Sequence, residues 1–356
     1  MLFSLHIGEA PSSHIIMEDS HPNSTTIPSD STSTANPPSP QPDKPTKTPP
    51  KATLLQRIRF LLLRNLAQTA RSTDRTLVRL SKLLSTPGGT DVLLCTTSYT
   101  LTLIHALLSR LLERKLALIA TEIAEKADGI LLPGETLIAS LPAPTSTKII
   151  AQAVGSSKAL AEVISDFRIF VRLWGVLGLY TWARGTYQDP LPKDASRKEK
   201  VLRALTWAAI ASCVGFQVLE NGAYLSSKGA LTTSSWTGEI GKARENKWWL
   251  WSSRFWAAYV GVELLRLGVE RYYKVLSSIV TRDDGEKEDK IQREEAWKKD
   301  NLENWLWWKD LASNVAYAPM TVHWSMEQGL LSDLGVGVCG MVAGGALLAD
   351  AWRRTA

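Results

Sequence analysis

Residues 334–349 read LGVGVCGMVAGGALLA, sixteen residues without a charge between Asp333 and Asp350. Residues 204–219 read ALTWAAIASCVGFQVL, a second uncharged sixteen between Arg203 and Glu220. At ~1.5 Å per residue each reaches roughly 24 Å as a helix, the short end of what crosses a bilayer. Leu330, Leu331 and Trp352 can lengthen the later run. Together the two runs predict an all-α fold: a helical membrane protein with about two transmembrane helices, near 204–219 and 334–349, and up to four if weaker segments cross too.

The glycines of the later run allow a competing reading. Gly335-Val336-Gly337-Val338-Cys339-Gly340 matches the dinucleotide fingerprint GxGxxG, but no strand precedes it and no acidic partner follows about 20 residues on. Gly337, Gly340 and Gly344 therefore read as helix-packing residues, because the spacing of Gly340 and Gly344 lets two helix backbones approach closely.

Working outward, Val92–Leu112 is broken only by His105 and Arg110, but Thr96, Thr97, Ser98, Thr100 and Thr102 weaken it as a span. A buried or membrane-lying bundle helix is expected there, continuing amphipathically to about Ala127. Residues 128–147, with Pro133, Pro142 and Pro144, read as a loop. Trp248–Ser277 and Leu302–Met326 carry internal charges or Pro319 and suit interfacial or re-entrant helices. Eight of the 14 tryptophans (Trp248, Trp249, Trp251, Trp256, Trp305, Trp307, Trp308 and Trp324) flank these segments. Tryptophan favours the headgroup belt, where its ring is buried and its N–H stays wet; a Trp-rich soluble core is the alternative.

The 356-residue chain is 44% hydrophobic and 21% charged, with net charge +6 and three cysteines. Those averages exclude a collagen-like chain and a disulfide-stapled scaffold, but not a membrane protein. The charge is unevenly spread. Residues 1–50 hold ten of the 17 prolines and fifteen Ser or Thr, and read as a disordered tail. Residues 51–86 hold eight cations and one acid. Leu55, Ile58, Leu62, Leu66, Leu77, Leu80 and Leu84 share one face of a helix there, and Pro87-Gly88-Gly89 ends it. Such a helix suits an anionic membrane surface, a nucleic acid or an acidic protein groove, or is simply a solvated face. No aromatic or glycine-rich basic motif accompanies it, which argues against nucleic acid. Arg57, Arg59, Arg64, Arg71, Arg75, Arg79 and Lys82 are then the lipid-docking candidates. The chain divides into a 1–50 tail, a basic amphipathic region at 51–190, and a membrane-embedded region at 191–356 with a charged loop at 281–300.

Phe167–Trp182 forms a further amphipathic helix. Its uncharged part, Leu173–Ala183, is too short to cross a bilayer but can lie in its surface. Phe167, Phe170, Val171, Leu173, Trp174 and Leu177, with Arg168 and Arg172 one turn apart, make a candidate membrane wedge. A search for catalysis finds nothing comparable. Cys95, Cys213 and Cys339 are far apart, the five histidines show no metal spacing, and no nucleophile–base or paired-carboxylate pattern stands out. No enzyme activity, metal or cofactor is expected, and His323 is not read as a catalyst.

Pro87-Gly88-Gly89-Thr90-Asp91 leading to Tyr99, Ile164-Ser165-Asp166-Phe167-Arg168 with Arg172-Leu173-Trp174-Gly175, Pro319, His323-Trp324-Ser325 and the glycine-rich end together resemble the peroxin-11 family, over about residues 75–353. The fungal C-type or gamma-like branch is the most similar. Members are peroxisomal membrane proteins that elongate and help divide the organelle. The resemblance implies a peroxisomal membrane protein with both termini cytosolic and an amphipathic helix inserted in one leaflet. The family's basic-x-x-x-Arg-Leu pattern falls on Arg168 to Leu173. Val92–Ser98 departs from the family in lacking basic residues, and the helix from 168 is more aromatic and less cationic. Expected partners are an anionic phospholipid membrane, further copies of the chain meeting through Gly340 and Gly344, and the fission machinery. A metabolite pore lined by the Thr, Ser and Gln of 92–112 and 204–219, and a scaffold that recruits fission factors through residues 1–50, are the alternatives.

Overall fold

The computed structural model describes residues 54–127, 144–280 and 290–356. The proline-rich tail, most of the 128–147 loop and the first part of the 281–300 loop lie outside the described residues. Those described form eight helices: α1 Leu54–Leu84, α2 Pro87–Ala127, α3 Thr145–Arg172, α4 Gly175–Gln188, α5 Arg197–Ser227, α6 Gly238–Val280, α7 Lys290–Trp324 and α8 Asp333–Arg353. No strand occurs among them. Helix boundaries follow local chemistry. Pro87 opens α2, since a helix's first turn needs no donor from it. Ser196 and Glu199 cap α5 with a reciprocal capping box. Ser332 caps α8, its hydroxyl accepting from the Gly335 N–H.

Three helices are long and apolar enough to cross a membrane: Pro87–Lys126 in α2, Arg197–Ser227 in α5 and Asp333–Arg353 in α8. Both expected spans lie within this set. The addition is α2, where Thr96, Thr97, Thr100 and Thr102 each donate to the carbonyl four residues back, so their hydroxyls are satisfied within the helix. Only 22%, 28% and 28% of the three apolar windows are buried by the rest of the chain, leaving broad faces for lipid.

The chain divides into two compact units, with the boundary inside α1, between Thr76 and Leu77. In the larger unit, packing runs α3, α2, α8, α7, α6, α5, and α5 returns to α3, closing a ring; α4 lies on α5. Neighbours are antiparallel. Ser98 meets Ala161 and His105 meets Val154 across α2–α3. Gly215 packs on Phe255 and Gly222 on Trp248 across α5–α6. Trp307 donates to the Leu267 carbonyl at 3.0 Å across α6–α7. Helices α2 and α3 thus belong with the later helices, so no structural boundary falls near residue 190.

Two expectations are corrected. The segment 248–277 lies within the single helix α6, and 302–324 within the single helix α7, each packed along its neighbours, so neither is re-entrant. Residues 290–300 continue α7 as helix rather than loop; Lys298–Glu294 and Lys274–Asp300 pairs hold this charged stretch.

Tight contact between α8 and α2 rests on three glycines. A side chain at Gly337 would come within 2.8 Å of the Leu103 backbone, and one at Gly344 within 2.8 Å of the Thr96 hydroxyl. At Gly340 it would fall inside the Tyr99 ring. The helix-packing reading of Gly337, Gly340 and Gly344 fits this geometry, but the partner is α2 of the same chain. These glycines are therefore buried against α2 within the chain.

Candidate membrane-facing stripe and interior cavity

The expected wedge helix is two helices. Helix α3 stops at Arg172 and α4 starts at Gly175, so Leu173 and Trp174 form a break. Helix α5 holds that break. The Gln217 amide donates to the Arg172 carbonyl at 2.8 Å, and the Asn221 amide to the Leu173 carbonyl at 3.2 Å. Irregular backbone at membrane depth survives where neighbouring polar side chains take up the freed groups, and Gln217 and Asn221 do this. Gly175 permits the approach: a side chain there would lie 2.7 Å from the Gln217 Oε1.

The wedge residues separate into two sets. Phe167, Phe170, Trp174 and Leu177 are exposed, joined by Leu160, Val163 and Tyr180. Spaced three or four apart, they form one apolar stripe that continues across the break. Phe170 and Trp174 meet edge to face at 5.3 Å, making the break the bulkiest point of the stripe. Val171 and Leu173 are half-buried.

Arg168 and Arg172 face the other way, so the expectation that they attract lipid is corrected. Arg168, 8% exposed, pairs with Asp91 at 2.9 Å. Arg172 grips Glu220 with two hydrogen bonds of 2.9 and 2.8 Å. A guanidinium matched by a buried carboxylate no longer draws the helix to an anionic surface. One cation stays near the stripe. Lys228, in the loop after α5, pairs with Asp166 at 2.5 Å and lies 5.2 Å from the Tyr224 ring centre. Its hydrogen bond to Asp166 outweighs burial and holds its ammonium pKa above the ordinary lysine value.

The inward arginines border a half-open cavity of about 1040 Å³, lined by residues of α2, α3, α5, α6 and α7 and of the turn after α7. Trp256 centres its wall, stacked on Trp324 at 5.5 Å and edge-on to Tyr317 at 5.6 Å. The Tyr317 hydroxyl lies 3.4 Å from the Cys95 sulfur. Trp256 Nε1 is buried without a hydrogen-bond partner.

Over 190 residues the chain is 30% identical to an uncharacterized protein of Schizosaccharomyces pombe, a match covering 52% of this chain and 73% of that protein. The chain belongs to that protein's family. No family model and no solved structure matches the chain. The fission yeast relative has no described activity, so the residues themselves carry any functional argument.

The lipid-docking candidates also divide. Arg59, Arg64, Arg71 and Arg75 are exposed on α1, while the Arg57 side chain lies outside the described residues. Arg79 and Lys82 are engaged elsewhere. Arg79 donates to the Trp352 carbonyl at 2.6 Å and the Thr355 hydroxyl at 3.1 Å, and stacks 4.5 Å from the Trp352 ring centre. Lys82 reaches the Thr355 carbonyl at 3.4 Å. Both thereby satisfy the carbonyl end of α8, where cations are favoured. His323 is structural. Its Nδ1 accepts the Leu330 and Leu331 N–H groups at 2.8 Å each, and Gly329 takes φ +67° beneath the ring to close the α7–α8 turn. No metal-binding cluster of His, Cys, Asp or Glu occurs among the described residues.

Sequence reasoning missed Gln217, Glu220 and Asn221. Their i, i+3, i+4 spacing at the end of an apolar run was the available signal, because polar residues there need partners on a neighbouring helix.

Proposed function

We propose that this chain is an integral membrane protein of peroxin-11 type that shapes the peroxisomal membrane during elongation and division. The observation that carries the reading is the unpartnered apolar stripe from Val163 to Tyr180, bulkiest at Phe170 and Trp174. The peroxisomal assignment rests on the motif resemblance. The wedge differs from a detached surface helix: α3–α4 stays packed on α2 and α5 and adds aromatic cross-section at one depth. A bundle wider in one leaflet than in the other favours curvature, and many copies favour a tubule.

Topology follows from helix direction. Helices α2 and α5 run the same way around the alternating ring, so the chain recrosses between them along α3–α4. Helices α6 and α7 then run down and back beside the spans. Both ends of the ring lie on one side, which the Arg79 and Lys82 contacts with Trp352 and Thr355 support. On this reading that side is cytosolic.

A second reading, passage of small metabolites, is favoured by the ring's interior cavity. Reconstitution of the full chain into anionic vesicles separates the two. Membrane shaping predicts tubules without leakage, lost when Phe170→Ser and Trp174→Ser blunt the stripe. In cells the same double variant is expected to remain on peroxisomes but fail to elongate them. Leakage of small dyes without tubules, or a tagged chain absent from peroxisomes, contradicts the proposal.

A further inference from the structure

Helix α1 carries a regular pattern that helix packing does not use. Leu55, Leu66 and Leu77 recur every eleven residues, and so do the pairs Arg64 with Arg75 and Arg71 with Lys82. Eleven residues make about three helical turns, so each set repeats on one side and its stripe runs straight along the helix. Leu62 and Arg71 are nine residues apart, as are Leu66 and Arg75. Nine residues make about two and a half turns, which puts leucines and arginines on opposite sides.

Three observations point to what covers this helix. Leu62, Leu66 and Leu77 are 58%, 65% and 58% exposed, and an apolar side left open over several turns marks an interaction surface. Arg64, Arg71 and Arg75 are exposed as well, and Asp74 is the single acid of residues 51–86, so most of these cations lack a local counter-charge. Finally, α1 ends at Leu84 and α2, long and apolar enough to cross a membrane, opens at Pro87. Only Ser85 and Thr86 separate α1 from a candidate span, which brings lipid within its reach. A second α1 offers the wrong charge, since pairing two such helices brings like charges together.

We propose that α1 docks along an anionic leaflet of the membrane that α2 enters. Leu62, Leu66 and Leu77 sink toward the acyl chains, and Arg64, Arg71 and Arg75 on the polar side are drawn to the acidic headgroups. Thr73 stands between Leu62 and Leu84 in the eleven-residue repeat, so the apolar side is interrupted at its middle and lipid charge decides whether the helix binds. The surface is separate from the Phe170–Trp174 stripe, so membrane shaping can fail while docking stands.

The test places the full chain in nanodiscs of phosphatidylcholine alone and in discs of equal parts phosphatidylcholine and phosphatidylserine. Docking is read by backbone hydrogen exchange between Leu62 and Leu77, with exchange in α8 as the check on folding. Exchange is expected to be about tenfold slower or more in the anionic discs, and high salt is expected to remove the difference. Each cation near an anionic leaflet strengthens binding about fivefold, so the triple variant Arg64→Gln, Arg71→Gln and Arg75→Gln is expected to weaken docking about 100-fold and return exchange to its rate in neutral discs. Leu62→Ser with Leu66→Ser keeps every cation and is expected to lose the protection too. Equal exchange of the wild type in the two discs overturns the proposal and leaves α1 to an acidic protein groove. Protection that survives the triple variant, or that follows the number of chains per disc rather than lipid charge, overturns it as well, the latter in favour of a second copy.

Discussion

Replacing Arg172 with Leu is expected to destabilise the folded chain by roughly 3–5 kcal/mol, the cost of leaving a buried carboxylate without its cation. The side chains of Arg172 and Glu220 are 11% and 7% exposed, so the carboxylate left behind is poorly solvated. The damage spreads because α5 meets α3 at the same point where Gln217 and Asn221 hold the break. The double variant Arg172→Leu with Glu220→Leu is expected to recover most of the loss, since an apolar pair of similar volume needs no desolvation. Thermal unfolding of the wild type, Arg172→Leu, Glu220→Leu and the double variant in one detergent gives the coupling energy directly. If Arg172→Leu unfolds with the wild type, the pair does not anchor the break.

Gly340→Leu is expected to have the next largest effect, a loss of about 3 kcal/mol or more through overpacking, because any side chain at Gly340 enters the space of the Tyr99 ring. Tyr99 cannot simply swing away, since the flanking Gly337 and Gly344 keep the α2 backbone against α8. Gly345 is the internal control. Nothing lies within 4 Å of a side chain built there, so Gly345→Ala is expected to be neutral, or to stabilise by up to about 1 kcal/mol through helix propensity. Unfolding midpoints of Gly340→Leu and Gly345→Ala check both. Equal midpoints would show that the α2–α8 seam is looser than the glycine contacts imply.

Much of this architecture was legible because apolar runs and glycine spacing are local signals. The runs at 204–219 and 334–349 sit inside α5 and α8, and the glycines of 337–344 pack a helix rather than a phosphate. What escaped is long-range pairing. Arg168 and Arg172 look like lipid-facing cations on a helical projection, and only Asp91 and Glu220, 77 and 48 residues away, turn them inward. The break at Leu173–Trp174 was equally hidden, since Arg172-Leu173-Trp174-Gly175 reads as continuous helix until Gln217 and Asn221 offer its carbonyls another partner. Internal charges in 248–277 and 302–326 pointed to interfacial or re-entrant segments, whereas the neighbouring helices that shelter part of their polar and aromatic faces are a tertiary feature. Along α1, exposed Arg59, Arg64, Arg71 and Arg75 keep the surface character that their local pattern suggested.

The central claim is a ring of antiparallel helices upright in the membrane, with both its ends on one face. Single cysteines at Lys193, Ala230, Gln328 and Ala356 test it most directly, introduced one at a time and labelled with an impermeant maleimide in sealed vesicles of known orientation. Lys193→Cys and Ala356→Cys are predicted to label from one face, and Ala230→Cys and Gln328→Cys only from the other. Labelling of Ala230→Cys from the same face as Ala356→Cys would contradict the account.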